Sequence, residues 1–168
     1  MKSGRATVEI RTARRADVAD IMRVRREAIL AKAASHYDPV TLTDWADAAD
    51  AGRMAKRISD PGYRVLVAEA DGEIIGFAVA AISKHELQAL YVKPNPIGNI
   101  GTALLAAIEA LAFKTVPFLV CDASLNAESF YKAHGYIEEC RKDQVSSSGD
   151  MISRVVQMRK HRPNTAPG

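Results

Sequence analysis

Residues 86–105, which read ELQALYVKPNPIGNIGTALL, decide how the rest of the chain folds. The apolar run 87–92 is typical of a strand, and the Pro-, Gly- and Asn-rich segment 93–98 is typical of a loop. Apolar residues then recur at helical spacing at Ile100, Leu104, Ile108 and Leu111. A helix that begins after a glycine loop presents unpaired N–H groups and a positive dipole end to an anion. The stretch predicts a phosphate-binding helix N-terminus, although an ordinary strand–loop–helix connection uses the same pattern.

Length and composition predict one globular domain. The 168 residues, 48% of them hydrophobic, are enough to bury a substantial core, which we expect to cover about residues 7–159. The polar segment 160–168 is expected to be a disordered tail. The net charge of +3 is too small to favour nucleic acid as a partner. The longest apolar stretch, 102–113, is too short to span a bilayer, and residues 1–20 lack a secretory signal. We therefore expect a cytoplasmic protein that does not bind a membrane.

The two cysteines predict no metal site. Cys121 and Cys140 belong to no C-x-x-C unit and to no His-spaced cluster. Both are expected to be buried free thiols in a reducing compartment.

Periodicity and turn signals predict the element order β–α–α–β–β–β–α–β–α–β–β. The strands are predicted at 7–12, 63–70, 73–82, 87–92, 116–122, 136–144 and 151–158. The helices are predicted at about 15–34, 41–58 with a break near Gly52, 99–114, and a short one that starts after Asn126. The strand 116–122 reads as fully buried, and with 87–92 and the helix between them it forms a parallel βαβ crossover.

Several local signals sharpen this outline. Asp71-Gly72 favours a two-residue type I′ turn, and Gly76 indicates a bulge or a close backbone approach. Asn126 is the predicted N-cap of the short helix. Phe130 and Tyr131 project about 100° apart on that helix, so only one of them can point squarely into the core. Tyr131 is thereby left to face a cleft.

The element order and two local signatures resemble the GNAT superfamily of acyl-CoA-dependent N-acyltransferases. The first signature is LYVKP at 90–94, followed by a glycine loop and IGTALL at 100–105. The second is ASLNA at 123–127 with Phe-Tyr at 130–131 and Gly-Tyr at 135–136. The resemblance covers about residues 8–158. It implies an α/β (α+β) fold with a mixed, mostly antiparallel sheet, one splayed parallel pair of strands and about four flanking helices.

The resemblance also implies a cofactor and a set of site residues. A GNAT protein transfers an acyl group, here most simply acetyl from acetyl-CoA, directly to a primary amine and needs no metal. It implies Tyr131 as the acid toward the CoA sulfur and Glu86 as the base. The implied cofactor-binding residues are Leu90, Tyr91, Val92, Gly98, Asn99, Ile100, Gly101, Thr102 and Asn126. The acceptor is expected to enter beside the first two helices, where His36, Tyr37 and Trp45 line its pocket. GNAT proteins are often homodimers.

Alternatives stand beside several of these roles. Glu86 is also explained as a solvated strand-edge carboxylate, Asn126 as a helix cap alone, and His85 and His36 are competing bases. The phosphate loop departs from the family pattern: either Pro96 stands at the Gln or Arg position and Asn99 at a glycine position, or the loop is one residue short and a glycine is missing. Asn tolerates the left-handed conformation that such a position requires. The departure motivates the alternative of a non-catalytic acyl-CoA-binding module.

Overall fold

The computed structural model describes residues 6–32, 38–47, 50–94, 98–145 and 151–164; the predicted site residues His36 and Tyr37 and the loop residue Pro96 lie outside them. The strands are β1 Val8–Thr12, β2 Tyr63–Ala70, β3 Glu73–Ala81, β4 Glu86–Val92, β5 Phe118–Ser124, β6 Ile137–Val145 and β7 Met151–His161. The α-helices are α1 Val18–Lys32, α2 Pro39–Asp47, α3 Ala51–Ser59, α4 Ile100–Ala112 and α5 Glu128–Ala133. Single turns of 3-10 helix lie at Arg15–Asp17 and Ile82–Lys84.

The strands form one mixed sheet in the order β1-β2-β3-β4-β5-β7-β6, in which the β4–β5 pair is parallel and the others are antiparallel. This confirms the predicted fold class. The hairpin between β2 and β3 turns at Asp71 and Gly72, whose φ angles of 50° and 80° fit the predicted type I′ turn. The predicted second helix is two helices, so the described residues contain five α-helices. Asp50 begins α3 by accepting hydrogen bonds from the N–H groups of Gly52 and Arg53.

The first helical segment begins on an ion pair rather than on an ordinary N-cap. The Asp17 carboxylate accepts a hydrogen bond from the N–H of Arg14 at 2.7 Å, which satisfies one unpaired donor. Arg11 of β1 holds the same carboxylate through two guanidinium hydrogen bonds of 2.8 and 3.0 Å. These bonds lower the pKa of Asp17, above all the bond from Arg11, so that the carboxylate stays charged.

The sheet is covered on both faces. Helices α1 and α3 pack on one face, where Ile21, Val24 and Met54 meet Val67 and Phe77. On the other face, Leu104 and Ile108 of α4 pack against strand residues such as Ala78, Ala80 and Leu87. Small residues on that face let the helix lie close to the sheet.

Gly76 marks the closest approach, as its sequence context predicted. A Cβ at this position of β3 would lie 2.9 Å from Leu104 Cδ1, 3.1 Å from the Tyr91 carbonyl oxygen and 3.4 Å from Ile100 Cγ2. The β2–β3 register also shifts between Ala68 and Glu69, opposite this region, which is the irregularity of a β-bulge. At Gly76 of β3, helix α4 and the β4 backbone therefore lie so close that only a glycine fits between them.

Strands β4 and β5 separate soon after they meet. Their one register pair is Glu86 with Val120, and the Val120 N–H donates to the His85 carbonyl at 2.8 Å. Beyond that point β4 pairs only with β3, and β5 pairs only with β7, in the part of the chain that the structure describes. The separation leaves the β5-facing edge of Leu90–Val92 without a strand partner, which creates the gap where the site lies.

Three local predictions were wrong. Strand β5 is not fully buried: Leu119, Cys121 and Ala123 are buried, whereas alternate residues face the cleft that the separated strands open. Asn126 does not cap α5, because the helix begins two residues later with Ala127 at the N-cap. Tyr131 is more buried than Phe130, and it lines the cleft. Cys140 is exposed on β6.

The predicted disordered tail also begins too early. Lys160 and His161 are the last residues of β7, and Lys160 Nζ donates to Glu109 Oε2 of α4 at 2.8 Å. The Glu109 carboxylate, buried on α4, also accepts a hydrogen bond from the Tyr136 hydroxyl at 2.9 Å. A buried carboxylate requires such partners, so Lys160 is part of the folded core.

Candidate functional site

A small cavity lies where β4 and β5 separate. It has a volume of about 210 Å³ and is bounded by the C-terminal part of β4, the end of β5, α1, α2 and the first turns of α4 and α5. Six predicted site residues of the cofactor and catalytic sets line it, namely Leu90, Tyr91, Val92, Gly101, Asn126 and Tyr131. The structure therefore brings together residues that are up to 41 positions apart in the sequence, from 90 to 131.

A larger cleft of about 710 Å³ opens beside this cavity on the α1–α3 side of the sheet. Glu86, Trp45 and Tyr131 line it, together with the cleft-facing residues of β5 and the arginines of α3. Six residues line both spaces: Trp45, Leu90, Tyr91, Ser124, Ala127 and Tyr131. The two spaces therefore meet along the C-terminal part of β4, and a molecule in one can reach a molecule in the other.

Tyr131 lies at this junction. It is only 7% exposed, and its ring packs edge-on against Phe130 and Tyr136. Burial, which disfavours the charged form, raises the pKa of Tyr131 well above its ordinary value. The hydroxyl group is therefore protonated at neutral pH, and within the described residues no acceptor is bonded to it.

Asn126 provides an unused acceptor in the small cavity. Its Oδ1 atom is buried and has no hydrogen-bond partner among the described residues. A buried polar atom without a partner costs about 1–3 kcal/mol. Since Asn126 does not cap α5, a ligand with an N–H donor in the cavity would satisfy this atom.

The N-terminus of α4 has the features of an anion site. No acidic residue lies in its first turn, and the Asn99 side chain makes no capping bond there, so no described side chain caps the first N–H groups. The left-handed residue ahead of the helix is Gly98, with φ 69°, whereas Asn99 has φ −96°. Gly98 therefore supplies the left-handed conformation ahead of α4, and Asn99 does not need to adopt it.

His134 connects the first turn of α4 to α5 by hydrogen bonds. Sequence patterns did not identify this residue. Its Nδ1 lies 2.7 Å from the Phe130 carbonyl oxygen, which can only accept, so Nδ1 carries a hydrogen. In the neutral ring, Nε2 then accepts from the Thr102 hydroxyl at 3.1 Å. The first turn of α4 is thus held against α5.

Glu86 lies at the start of β4, where the parallel strands meet, and lines the larger cleft. Its carboxylate accepts a hydrogen bond from Gln88 Nε2 at 2.9 Å. Gln88 is the extra residue of a bulge, because Leu87 pairs with Ala80 and Ala89 pairs with Val79. Gln88 Oε1 is buried without a partner among the described residues. The competing histidine, His85, lines neither space.

Sequence patterns did not find the charged lining of the larger cleft. Arg25 of α1, Arg53 and Arg57 of α3 and Arg159 of β7 come from three separate parts of the chain. Cys121 also lines the cleft, but burial raises the pKa of its thiol to about 12, so it is not a nucleophilic thiolate at neutral pH.

Comparison with known proteins now assigns the family. A family model described as an acetyltransferase (GNAT) domain matches residues 33–161. The chain belongs to the GNAT family of acetyltransferases. A GCN5-related N-acetyltransferase of Rhodopseudomonas palustris is 30% identical, with 93% of this chain and 96% of that chain covered and a TM-score of 0.83. The chain is therefore an acyltransferase, and the predicted family is confirmed.

Two more distant GNAT structures share the fold and contain the cofactor. PaiA N-acetyltransferase of Thermoplasma acidophilum, in complex with coenzyme A, is 24% identical with a TM-score of 0.75; 93% of this chain and 99% of that chain are covered. YncA of Salmonella typhimurium, with acetyl-CoA, is 22% identical with a TM-score of 0.67; 96% of this chain and 98% of that chain are covered. A comparison with curated protein sequences returns no significant match.

Two further structural findings concern membranes and metals. No helix in the described ranges is long and apolar enough to cross a membrane. The described residues also bring together no group of three or more His, Cys, Asp or Glu side chains that would hold a metal ion. The expected cytoplasmic location and the expected homodimer stay predictions.

Proposed function

We propose that this GNAT protein transfers the acetyl group of acetyl-CoA directly to a primary amine. The observation that carries the proposal is the position of Tyr131, a protonated and buried hydroxyl group at the junction of two spaces. The small cavity is proposed to receive the acyl-pantetheine arm of acetyl-CoA, and the larger cleft the amine. Direct transfer requires such a junction, because both reactants must meet with no covalent enzyme intermediate.

The residues around the small cavity fit acetyl-CoA. The backbone of Leu90–Val92, which lies beyond the point where β4 pairs with β5, is proposed to bind the amide groups of the pantetheine arm, and Asn126 Oδ1 offers a further acceptor. The N–H groups of Ile100, Gly101 and Thr102, at the N-terminus of α4, are proposed to hold the pyrophosphate. When bound, acetyl-CoA supplies the thioester whose carbonyl carbon the amine attacks.

Tyr131 is proposed to stabilise the leaving group. When the C–S bond breaks, the sulfur takes the electron pair, and a thiolate with a pKa near ~8.5 forms. A tyrosine hydroxyl has a higher pKa, near ~10, and burial raises it further at this site. Tyr131 therefore acts chiefly as a hydrogen-bond donor to the developing thiolate. The amine loses one proton before it attacks, and the second proton, which its nitrogen loses after the attack, balances the charge of the thiolate.

Glu86 is proposed to accept the proton that the amine loses. A primary amine has a pKa near ~10 and must lose a proton to become a nucleophile. Glu86 faces the same cleft as Tyr131, and the hydrogen bond from Gln88 Nε2 holds one carboxylate oxygen in place. The other oxygen is left for the amine or for a bridging water molecule.

Tyr131→Phe tests the proposal, with Tyr63→Phe as its matched control. Tyr63 lies at the start of β2 and lines neither space. A hydrogen bond to a charged group contributes about 1.5–3 kcal/mol, so Tyr131→Phe is expected to lower kcat about 10–100-fold. Release of the CoA thiol across a panel of primary amines measures kcat, and calorimetry with CoA measures binding. An unchanged kcat in Tyr131→Phe would remove Tyr131 from the mechanism.

The same pair of assays distinguishes the alternative function. CoA binding with no acetylation of any amine would favour a non-catalytic acyl-CoA-binding module. If the wild-type protein neither binds CoA nor acetylates any amine, both functions are contradicted.

A further inference from the structure

The larger cleft carries more positive than negative charge. Its cationic side chains are Arg25, Arg53, Arg57, Lys84, Lys142 and Arg159. Its carboxylates are Asp50, Glu86 and Asp122. A concave surface lined mostly by one sign of charge concentrates ligands of the opposite sign.

Several of these cations already have partners. Lys142 Nζ lies 3.1 Å from Asp122 Oδ1, and Arg159 forms an ion pair with Glu139 at 2.5 Å. Arg25 donates to the backbone carbonyls of Trp45 and Ala46 at the C-terminal end of α2. The charges of these three side chains therefore serve contacts within the protein.

Three cations remain: Lys84, which also forms no ion pair among the described residues, and the two arginines of α3, which share one helix. Arg53 and Arg57 form no ion pair with any of the described residues, although both line the cleft. They lie four positions apart, so they share one face of the helix. Two like charges at this spacing destabilise a helix unless an anion lies between them. The nearby carboxylate, Asp50, is already used as the N-cap of α3.

The β4 lining of the same cleft suits an ammonium group. Glu86 supplies a carboxylate at the start of β4, and Gln88 Oε1 is a buried acceptor without a partner among the described residues. An ammonium group donates three hydrogen bonds and accepts none, so it matches these oxygen atoms. The cleft therefore has acceptors on β4 and two guanidinium groups on α3 without an ion pair among the described residues, of which Arg57 also lies over the Tyr63 ring at 5.7 Å.

We propose that the acceptor of this enzyme is a primary amine that also carries an anionic group, a carboxylate or a phosphate, which Arg53 and Arg57 bind. Arginine forks match the planar or tetrahedral oxygen arrays of both groups. This inference rests on the proposed acetyl transfer and adds the substrate class. Amines without an anionic group, including polyamines, are expected to be poor acceptors, because they offer no anion for Arg53 and Arg57 to bind.

The test compares matched amines. Phosphoethanolamine is compared with ethanolamine, and β-alanine with β-alaninamide, in turnover with acetyl-CoA at low salt. The wild-type enzyme is expected to prefer the anionic member of at least one pair by about tenfold or more in kcat/KM. A preference for phosphoethanolamine over ethanolamine indicates a phosphate site, and a preference for β-alanine over β-alaninamide indicates a carboxylate site.

The double variant Arg53→Gln/Arg57→Gln is expected to lose this preference. The KM of the anionic amine should rise about tenfold, while kcat/KM for the matched amine without an anionic group stays within about twofold. Lys56→Gln is the matched control, since it removes a positive charge from α3 at an exposed position that lines neither space. Melting temperatures of all variants identify any loss of folding.

Calorimetry with the same four amines, in the presence of CoA, separates failure of this inference from failure of acetyl transfer. If amines with and without an anionic group are acetylated equally well, the anionic site is overturned, but the proposed acetyl transfer is supported. Binding of an anionic amine that the double variant abolishes, with no acetylation of any amine, would support the site and contradict the proposed transfer. No preference in either binding or turnover overturns the inference.

Discussion

Gly76→Ala is expected to destabilise the protein because it forces helix α4 away from the sheet. The added methyl group would lie 2.9 Å from Leu104 Cδ1 and 3.1 Å from the Tyr91 carbonyl oxygen. Leu104 is completely buried, so its methyl group has no free space to enter. The Tyr91 oxygen belongs to the backbone of β4, so it moves only if the strand moves.

The expected size of the effect follows from two opposing terms. Overpacking of a filled core costs about 1–3 kcal/mol. Replacing Gly by Ala at a compatible backbone conformation recovers about 0.4–1 kcal/mol by restricting the unfolded chain. The net loss is therefore about 1–2 kcal/mol, which for a protein of this size lowers Tm by roughly 2–8 °C.

Urea unfolding and thermal melting of Gly76→Ala measure this loss, with Gly101→Ala as the matched control. A Cβ at Gly101 would meet the Phe130 ring at 3.5 Å, an ordinary contact, and alanine is the better helix former by up to about 1 kcal/mol. Gly101→Ala is therefore expected to keep or raise Tm. A Gly76→Ala protein as stable as the wild type would refute the claim that α4 and β4 are held at a spacing set by glycine.

The other predictions concern one ion pair and one cofactor contact. Asp17→Asn should cost about 2 kcal/mol at pH 7, because the two hydrogen bonds from Arg11 lose their charged acceptor. Since the pKa of Asp17 is lowered in the folded protein, its stabilisation is present above the unfolded value near ~3.9 and disappears as pH falls through the folded value. Urea unfolding from pH 7 to pH 3 should therefore show the two proteins converging, and a pH-independent difference would contradict the role of charge. Asn126→Ala should leave the Tm of the free protein within about 2 °C, because Oδ1 has no partner to lose. It should weaken CoA binding about 5–15-fold by calorimetry, and unchanged affinity would show that Asn126 does not contact the cofactor.

Local sequence patterns were sufficient for most of the fold. The hairpin between β2 and β3 follows from a turn dipeptide between two alternating runs, and α4 follows from an uninterrupted helical period. The special position of Gly76 was also readable, since a glycine inside a strand pattern has few explanations. These features depend on neighbours in the chain, which a sequence displays directly.

Sequence patterns failed where a partner from a distant segment decides the outcome. Lys160 belongs to the core only because Glu109, 51 positions away, needs a counter-charge. Asn126 lost its predicted capping role because α5 begins at Glu128, and its buried oxygen is visible only in the folded cavity. Neither the Lys160–Glu109 contact nor the burial of the Asn126 oxygen produces a periodic pattern in the sequence.

By itself, the sequence determined the family, the order of the elements and the candidate residues Glu86, Asn126 and Tyr131. The resemblance also implied a splayed parallel pair, but only the tertiary structure showed that β4 and β5 share a single register pair and that Tyr131 lines both spaces beside them. Only the tertiary structure also brought the arginines of α3 and the acceptors of β4 into one cleft. The physical reason is that side-chain chemistry is local to each residue, whereas burial, cavity shape and the pairing of charges depend on how separate segments pack.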